Sequence, residues 1–292
     1  MGRPNAGKST LVNRLVGQKV AIVTSRPQTT RNRIQGIVNC PNAQVILIDT
    51  PGLHRPKSAL GRQMMGELAA ALEAVDVLAL ILDASEEFGA EDREVLARGE
   101  KFQGPRILLL NKIDRVEKSS LLPRMEKLAQ MGDFAEIIPI SALTGDGVSV
   151  VLDKFIEYLP SGEPYFPPEQ YTDQPERFLA AEIVREKAME ASFQEVPHAL
   201  AVVADSFEES DRLIHIRCTL YVEREGQKGI LIGRGGETMK QIGSAARREL
   251  EQILGTKIHL ELFVKVRHEW RNSPQVVREL DWRNQLDRLS RK

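Results

Sequence analysis

Residues 2 to 10 carry a recognisable chemistry. Gly2-Arg3-Pro4-Asn5-Ala6-Gly7-Lys8-Ser9-Thr10 fits G-x-x-x-x-G-K-[ST]. Its glycines let successive backbone N–H groups turn inward, forming an anion-binding nest at a helix start. Lys8 adds a point charge at the β/γ-phosphates, and Ser9 offers a hydroxyl to Mg²⁺.

Three further segments extend that chemistry. Asp49-Thr50-Pro51-Gly52 ends an apolar run; a strand-ending carboxylate there reaches the metal site, and Gly52 can bring its N–H to a γ-phosphate. Asn111-Lys112-Ile113-Asp114 follows the run Ile107 to Leu110, where a doubly wound sheet presents its ligand crevice. The Asp114 carboxylate can accept from N1–H and the exocyclic amine of guanine, a donor pair that adenine lacks. Asn111 can hold the base-side loop, and the stem of Lys112 can lie against the purine. Ser141-Ala142-Leu143 supplies backbone N–H groups for the guanine O6. These residues make a guanine-nucleotide site, with Lys8 and Gly52 as the groups closest to hydrolysis.

The set G-R-P-N-A-G-K-S-T, D-T-P-G, N-K-I-D and S-A-L resembles the translation-factor-related GTPases, specifically the Era type. That resemblance implies that Gln28-Thr29-Thr30-Arg31 is the first switch, with Thr30 favoured over Thr29 to reach Mg²⁺ and the γ-phosphate. Many GTPases place a water-orienting glutamine directly after the D-x-x-G glycine; here that residue is Leu53. In GTPases resembling this one, an asparagine at the position of Asn5 ligates K⁺, which gives an alternative source of positive charge. Arg31 and Arg33 are further candidates for that charge.

A second motif lies in the C-terminal third. Gly233-Arg234-Gly235-Gly236 fits the G-x-x-G loop of KH domains, where bare backbone approaches single-stranded nucleic acid. Lys240, Arg247 and Arg248 follow it. Residues 212–292 carry 17 Lys/Arg against 10 Asp/Glu, although the whole chain is at −1; the basic third suits a polyanionic partner. The stretches 222–228 and 259–266 also resemble the KH half of the Era type.

The elements that must position these residues can be read in outline. The phosphate loop opens a helix through Leu11, Leu15 and Val16. Residues 21–33 read as a loop. Strands are expected at 34–38, 45–48, 77–82, 107–110 and 137–140, with helices over 63–74, 91–99, 121–131 and 148–159. Apolar strands between helices indicate a parallel sheet covered on both faces. Five prolines between Leu159 and Pro175 mark a boundary, so the expected domains are 1–160, a linker over 161–174, and 175–292. The second domain reads as helix 176–192, strands 199–203 and 213–222, a glycine-rich turn, helix 237–254 and strand 258–266. Residues 271–292 could form a final helix, and Trp270 and Trp282 read as packing anchors. The five histidines form no site spacing.

The expected fold is therefore α/β: a doubly wound phosphate-loop GTPase domain followed by an α+β type II KH domain. A phosphate loop normally follows a buried strand. Only Met1 precedes Gly2, so the first strand is expected to be missing. With 42% hydrophobic and 28% charged residues and two cysteines far apart, Cys40 and Cys218, the chain reads as globular and from a reducing compartment. The family resemblance implies Mg²⁺-dependent GTP hydrolysis, binding of the 3′ end of small-subunit ribosomal RNA, and a role in assembling that subunit. It also implies a cytoplasmic monomer that associates peripherally with the inner membrane. The alternative reading is an RNA-binding module whose nucleotide domain is inactive for want of its first strand.

Overall fold

The computed structural model describes residues 1–281 and 283–284. Trp282 and residues 285–292 of the expected tail helix lie outside the described residues. The chain divides into two compact units, one of residues 1–55 and 64–173, the other of 56–63 and 174 onward.

In the first unit, α1 (Lys8–Val16) begins directly from the phosphate loop. Its N-cap is Gly7 at φ 96°, a left-handed conformation that glycine adopts without a Cβ penalty. There follow β1 (Ile34–Cys40), β2 (Ala43–Asp49), α2 (Ala59–Glu73, of this unit from Met64 on), β3 (Leu78–Asp83), α3 (Ala90–Gly99), β4 (Arg106–Asn111), α4 (Leu121–Ala129), β5 (Glu136–Pro139) and α5 (Val148–Tyr158). Strands β3, β4 and β5 form a parallel sheet in that order.

Alternate residues of β4 feed two cores. Ile107 and Leu109 pack with Leu11, Val151 and Phe155. Leu108 and Leu110 pack with Leu68, Val95, Leu96 and Leu128. That is why the strand reads as an unbroken apolar run: each fully buried Leu or Ile is worth roughly 1.5–3 kcal/mol.

The hairpin is a different matter. β1 and β2 form a separate two-stranded antiparallel sheet, with Ile34 opposite Asp49. Met1 and Gly2 instead pair in parallel with β3: Ile81 N–H donates to the Met1 carbonyl at 2.8 Å, and Gly2 bridges Ile81. Residues 161–173, which the sequence presents as a linker, run along the hairpin. Ile37 N–H donates to the Tyr171 carbonyl at 2.9 Å. Gln44 Oε1 accepts from the N–H groups of Tyr165 (2.8 Å) and Phe166 (3.0 Å).

The second unit runs α6 (Glu176–Glu190), α7 (Val196–Ala199), β6 (Ala201–Ser210), β7 (Leu213–Val222), α8 (Glu225–Ile232), α9 (Glu237–Leu254), β8 (Lys257–Val266) and α10 (Pro274–Leu280). Its sheet has the order β6-β7-β8, antiparallel then parallel. This is the α-β-β-α-α-β arrangement of a type II KH domain. One face is covered by the core of Ile183, Val184, Ile216, Leu220, Leu231, Ile242 and Leu250.

Two elements depart from the sequence reading. The stretch before G-x-x-G is the helix α8, not a turn. Gly226 and Gly229 lower its propensity, but Gln227 Oε1 closes its start by accepting from Glu223 N–H (2.9 Å) and Arg224 N–H (3.1 Å). Strand β6 extends seven residues past Val203 to Ser210, because its polar end is held by register with β7 rather than by burial. Trp270 is a packing anchor, 2% exposed, its Nε1–H donating to the Ala199 carbonyl at 2.8 Å. Both cysteines are free; burial pushes the Cys218 thiol up to about 12.

Candidate functional site

Residues far apart in sequence meet behind the phosphate loop. Ser9 Oγ donates to Asp49 Oδ2 at 2.6 Å, and Thr30 Oγ1 donates to the same oxygen at 3.2 Å. The two hydroxyls lie 2.9 Å apart. The other carboxylate oxygen, Asp49 Oδ1, is buried and has no hydrogen-bond partner. Burial raises the Asp49 carboxyl above its ordinary range, while Ser9, Lys8 and Thr30 draw it back. An orphaned anionic oxygen beside two hydroxyls is a donor set of hard oxygens, the kind that Mg²⁺ takes.

Thr30 rather than Thr29 joins this group. Thr29 Oγ1 is turned into its own loop, donating to the Arg26 carbonyl at 2.8 Å and lying 2.8 Å from Thr24 Oγ1. Lys8 is buried, and its Nζ donates to the carbonyls of Arg3 (2.8 Å) and Gly2 (3.2 Å). Burial lowers its pKa to about 8, with Asp49 opposing.

The D-T-P-G backbone lies against the phosphate loop. A Cβ on Gly52 would stand 2.8 Å from Pro4 N, so only glycine allows this approach. Leu53 N–H donates to the Gly2 carbonyl at 3.1 Å, and its side chain is buried in the core with Leu68 and Leu80. The residue at the usual glutamine position thus presents no polar group to a water. Arg3 is held by Glu86 (2.6 Å) and Asp92 (3.3 Å). Asn5 is exposed, and its Nδ2 reaches across to the Ser25 carbonyl at 2.9 Å. Arg31, a candidate source of positive charge, is buried.

On the base side, Asn111 joins two loops. Its Nδ2 donates to the Ala6 carbonyl at 2.8 Å, and its Oδ1 accepts from Ala142 N–H at 2.9 Å. Lys112 has φ 67°, and Asp114 is exposed at the start of a short 3-10 turn. Of the three N–H groups of Ser141, Ala142 and Leu143, two are engaged within the protein: Ser141 with the Asp146 carbonyl, Ala142 with Asn111. Two further residues, outside the sequence motifs, belong to this side: Arg14 donates to the Ala142 carbonyl at 3.4 Å and to that of Leu143, and Asp83 ion-pairs with Lys112 Nζ at 2.5 Å. Nothing near Arg14 marks it in the sequence. Asp83 has the same signature as Asp49, a carboxylate closing an apolar strand.

In the second unit, Arg234–Gly236 forms a 3-10 turn between α8 and α9. Gly233 (φ 74°), Gly235 (φ 61°) and Gly236 (φ 83°) all have positive φ. A Cβ on Gly233 would lie 2.2 Å from Thr238 Oγ1. The turn is therefore built of bare backbone, with Arg234 and Lys240 exposed beside it and Arg247 and Arg248 further along α9. That combination suits the sugar-phosphate backbone of a single strand.

Residues 1–112 match the family model described as the 50S ribosome-binding GTPases, and residues 195–271 match that of the KH domain. A crystal structure of Era in complex with MgGDPNP and nucleotides 1506-1542 of 16S ribosomal RNA is 41% identical, covers 96% of each chain and superposes with a TM-score of 0.93. A variant of Aquifex aeolicus Era bound to GDP.AlF4- is 41% identical over 96% of each chain, with a TM-score of 0.92.

Proposed function

The chain belongs to the Era family of GTPases, and on that premise we propose that it hydrolyses GTP in residues 1–160 and binds ribosomal RNA through its KH domain. The observation that carries the first half is the convergence of the Ser9 and Thr30 hydroxyls on Asp49 Oδ2, which leaves Asp49 Oδ1 buried without a hydrogen-bond partner near the buried Lys8.

In this reading the nest of Gly2–Thr10 and the Lys8 ammonium bind the β- and γ-phosphates. Ser9, Thr30 and Asp49 would hold Mg²⁺, which supplies neutralisation of the charge that develops on the phosphate oxygens. Gly52 offers its N–H to the γ-phosphate. Asp114 selects guanine, and Asn111 keeps base loop and phosphate loop in one geometry. With Leu53 apolar, the attacking water gets no orientation from that position, so a slow intrinsic rate is expected; a K⁺ held at Asn5 would add the missing charge. The alternative of an inactive nucleotide domain has no observation in its favour, since the polar groups needed for phosphate and metal converge.

The RNA half rests on the glycine turn with Arg234 and Lys240 beside it. The solved Era complex holds 16S ribosomal RNA, and by extension this chain takes the 3′ end of small-subunit ribosomal RNA and serves in assembly of that subunit. The family reading extends to a cytoplasmic monomer with peripheral association at the inner membrane; no helix among the described residues is long and apolar enough to cross a membrane.

The test is phosphate release from GTP by the full chain. It is run with Mg²⁺ or EDTA, in K⁺ or Na⁺, and with RNA of the 16S 3′ end or an unrelated RNA of equal length. Turnover should require Mg²⁺, run faster in K⁺, and respond to the 16S RNA alone. No turnover under any of these conditions would reject the enzymatic reading; equal rates in K⁺ and Na⁺ would remove the Asn5 ion.

A further inference from the structure

Asp83 is the last residue of β3 and stands in register opposite Asn111, the last residue of β4. Its side chain is 2% exposed and fully engaged. Oδ1 accepts from Ser85 N–H at 2.9 Å and Ser85 Oγ at 2.6 Å, while Oδ2 takes the Lys112 ammonium at 2.5 Å. Next to it, Ala84 N–H donates to the Asn111 carbonyl at 2.7 Å, which knits the β3 end to the base loop. Burial works against ionisation of Asp83, but the bonds from Lys112 and Ser85 outweigh it and hold the carboxyl below its ordinary range.

A largely buried ion pair adds little net stability, because desolvation offsets the attraction. Its value here lies in what it orders. Lys112 has a left-handed backbone at φ 67°, a conformation that a lysine keeps only when its surroundings hold it there. A free ammonium would be hydrated, and the four-carbon stem would move among many rotamers.

We propose that Asp83 is a positioning residue for the guanine base, holding the Lys112 ammonium aside so that the lysine's aliphatic stem presents one fixed face to the purine. This rests on the nucleotide-site reading above. Asp83 touches neither base nor phosphate in this role; it acts through Lys112.

The test is GDP titration by calorimetry and GTP turnover for the full chain, comparing wild type, Asp83→Asn, Asp83→Glu, Lys112→Met and the Asp83→Asn/Lys112→Met pair. Asp83→Asn should weaken GDP about tenfold, the order expected for loss of one charge-assisted bond. KM for GTP should rise by the same factor, with kcat held within about twofold. Lys112→Met should lose at least as much, and the double variant no more than Lys112→Met alone. Asp83→Glu should recover part of the loss. GDP affinity unchanged in Asp83→Asn, or losses that multiply in the double variant, would overturn the proposal. If Asp83→Asn does not melt cooperatively, Lys112→Arg against Lys112→Met decides. The arginine keeps the ion pair and should bind GDP more tightly, and equal affinities would overturn it. A wild-type chain that binds no GDP would reject the nucleotide-site reading itself, a result distinct from any difference among variants.

Discussion

Gly7 and Asn111 occupy one another's space: a Cβ added to Gly7 would stand 2.1 Å from Asn111 Nδ2. The amide fits only because the glycine has no side chain, and from there it bonds to Ala6 on one side and Ala142 on the other. Phosphate loop, base loop and the Ser141–Leu143 loop thus meet on the one Asn111 side chain.

Gly7→Ala should therefore disable both halves of the nucleotide site. The left-handed backbone at φ 96° already costs an alanine about 1–2 kcal/mol, and displacing the amide leaves buried groups unpaired at about 1–3 kcal/mol. GDP titration should show a loss of more than about a hundredfold, on the scale of about 1.4 kcal/mol per tenfold, together with a lower melting temperature. Near-normal GDP binding by this variant would show that the loops are set independently.

Asp114→Asn should change base choice rather than abolish binding. The carboxylate would lose its bonds to the guanine N1–H and amine, roughly 3 kcal/mol or more, while xanthine presents a carbonyl that an amide can meet. Competition between GTP and xanthosine triphosphate measures this. A variant that keeps its GTP preference would remove Asp114 from the base site.

Lys8 makes a pH-dependent contribution to the nucleotide-free protein. Its pKa falls from the model-compound value of 10.5 to about 8 on burial, so the folded state binds the proton more weakly than the unfolded chain. The resulting penalty is fully present below pH 8 and is relieved as pH rises from about 8 through 10.5, a gain on the order of 3 kcal/mol. Denaturant unfolding of wild type and Lys8→Met across that range should show a difference that narrows with pH. Curves that stay parallel would mean the ammonium is not desolvated.

On the RNA side, Arg234→Asp with Gly235→Asp should abolish single-strand binding and leave GDP binding intact. A Cβ on Gly235 meets nothing within 4 Å, so the aspartate there is strained only by the left-handed backbone at φ 61°, about 1–2 kcal/mol, while two carboxylates face the phosphates. Wild-type affinity should itself fall with added salt. Filter binding with a 16S 3′-end oligonucleotide measures both effects, and unchanged affinity in the double variant would exclude the turn from the RNA site.

Legibility followed the range of the interaction. The phosphate loop, D-T-P-G, N-K-I-D and the glycine turn could be read from sequence because each is a contiguous backbone geometry that dictates its own residue types. The alternation of apolar strands and helices marked the parallel sheet for the same local reason. Helix α8 was hidden because two glycines argue against it locally, while Gln227 and burial of Leu231 argue for it in three dimensions. Residues 161–173 look like a linker by their prolines, yet their backbone groups find partners on β1 and β2. The bond of Thr30, and not of Thr29, to Asp49, the pairing of Asp83 with Lys112 and the seat of Asn111 against Gly7 came only from the tertiary structure. Each depends on an oxygen or an amide brought within 3.2 Å of a partner that the chain itself separates by 19 residues or more.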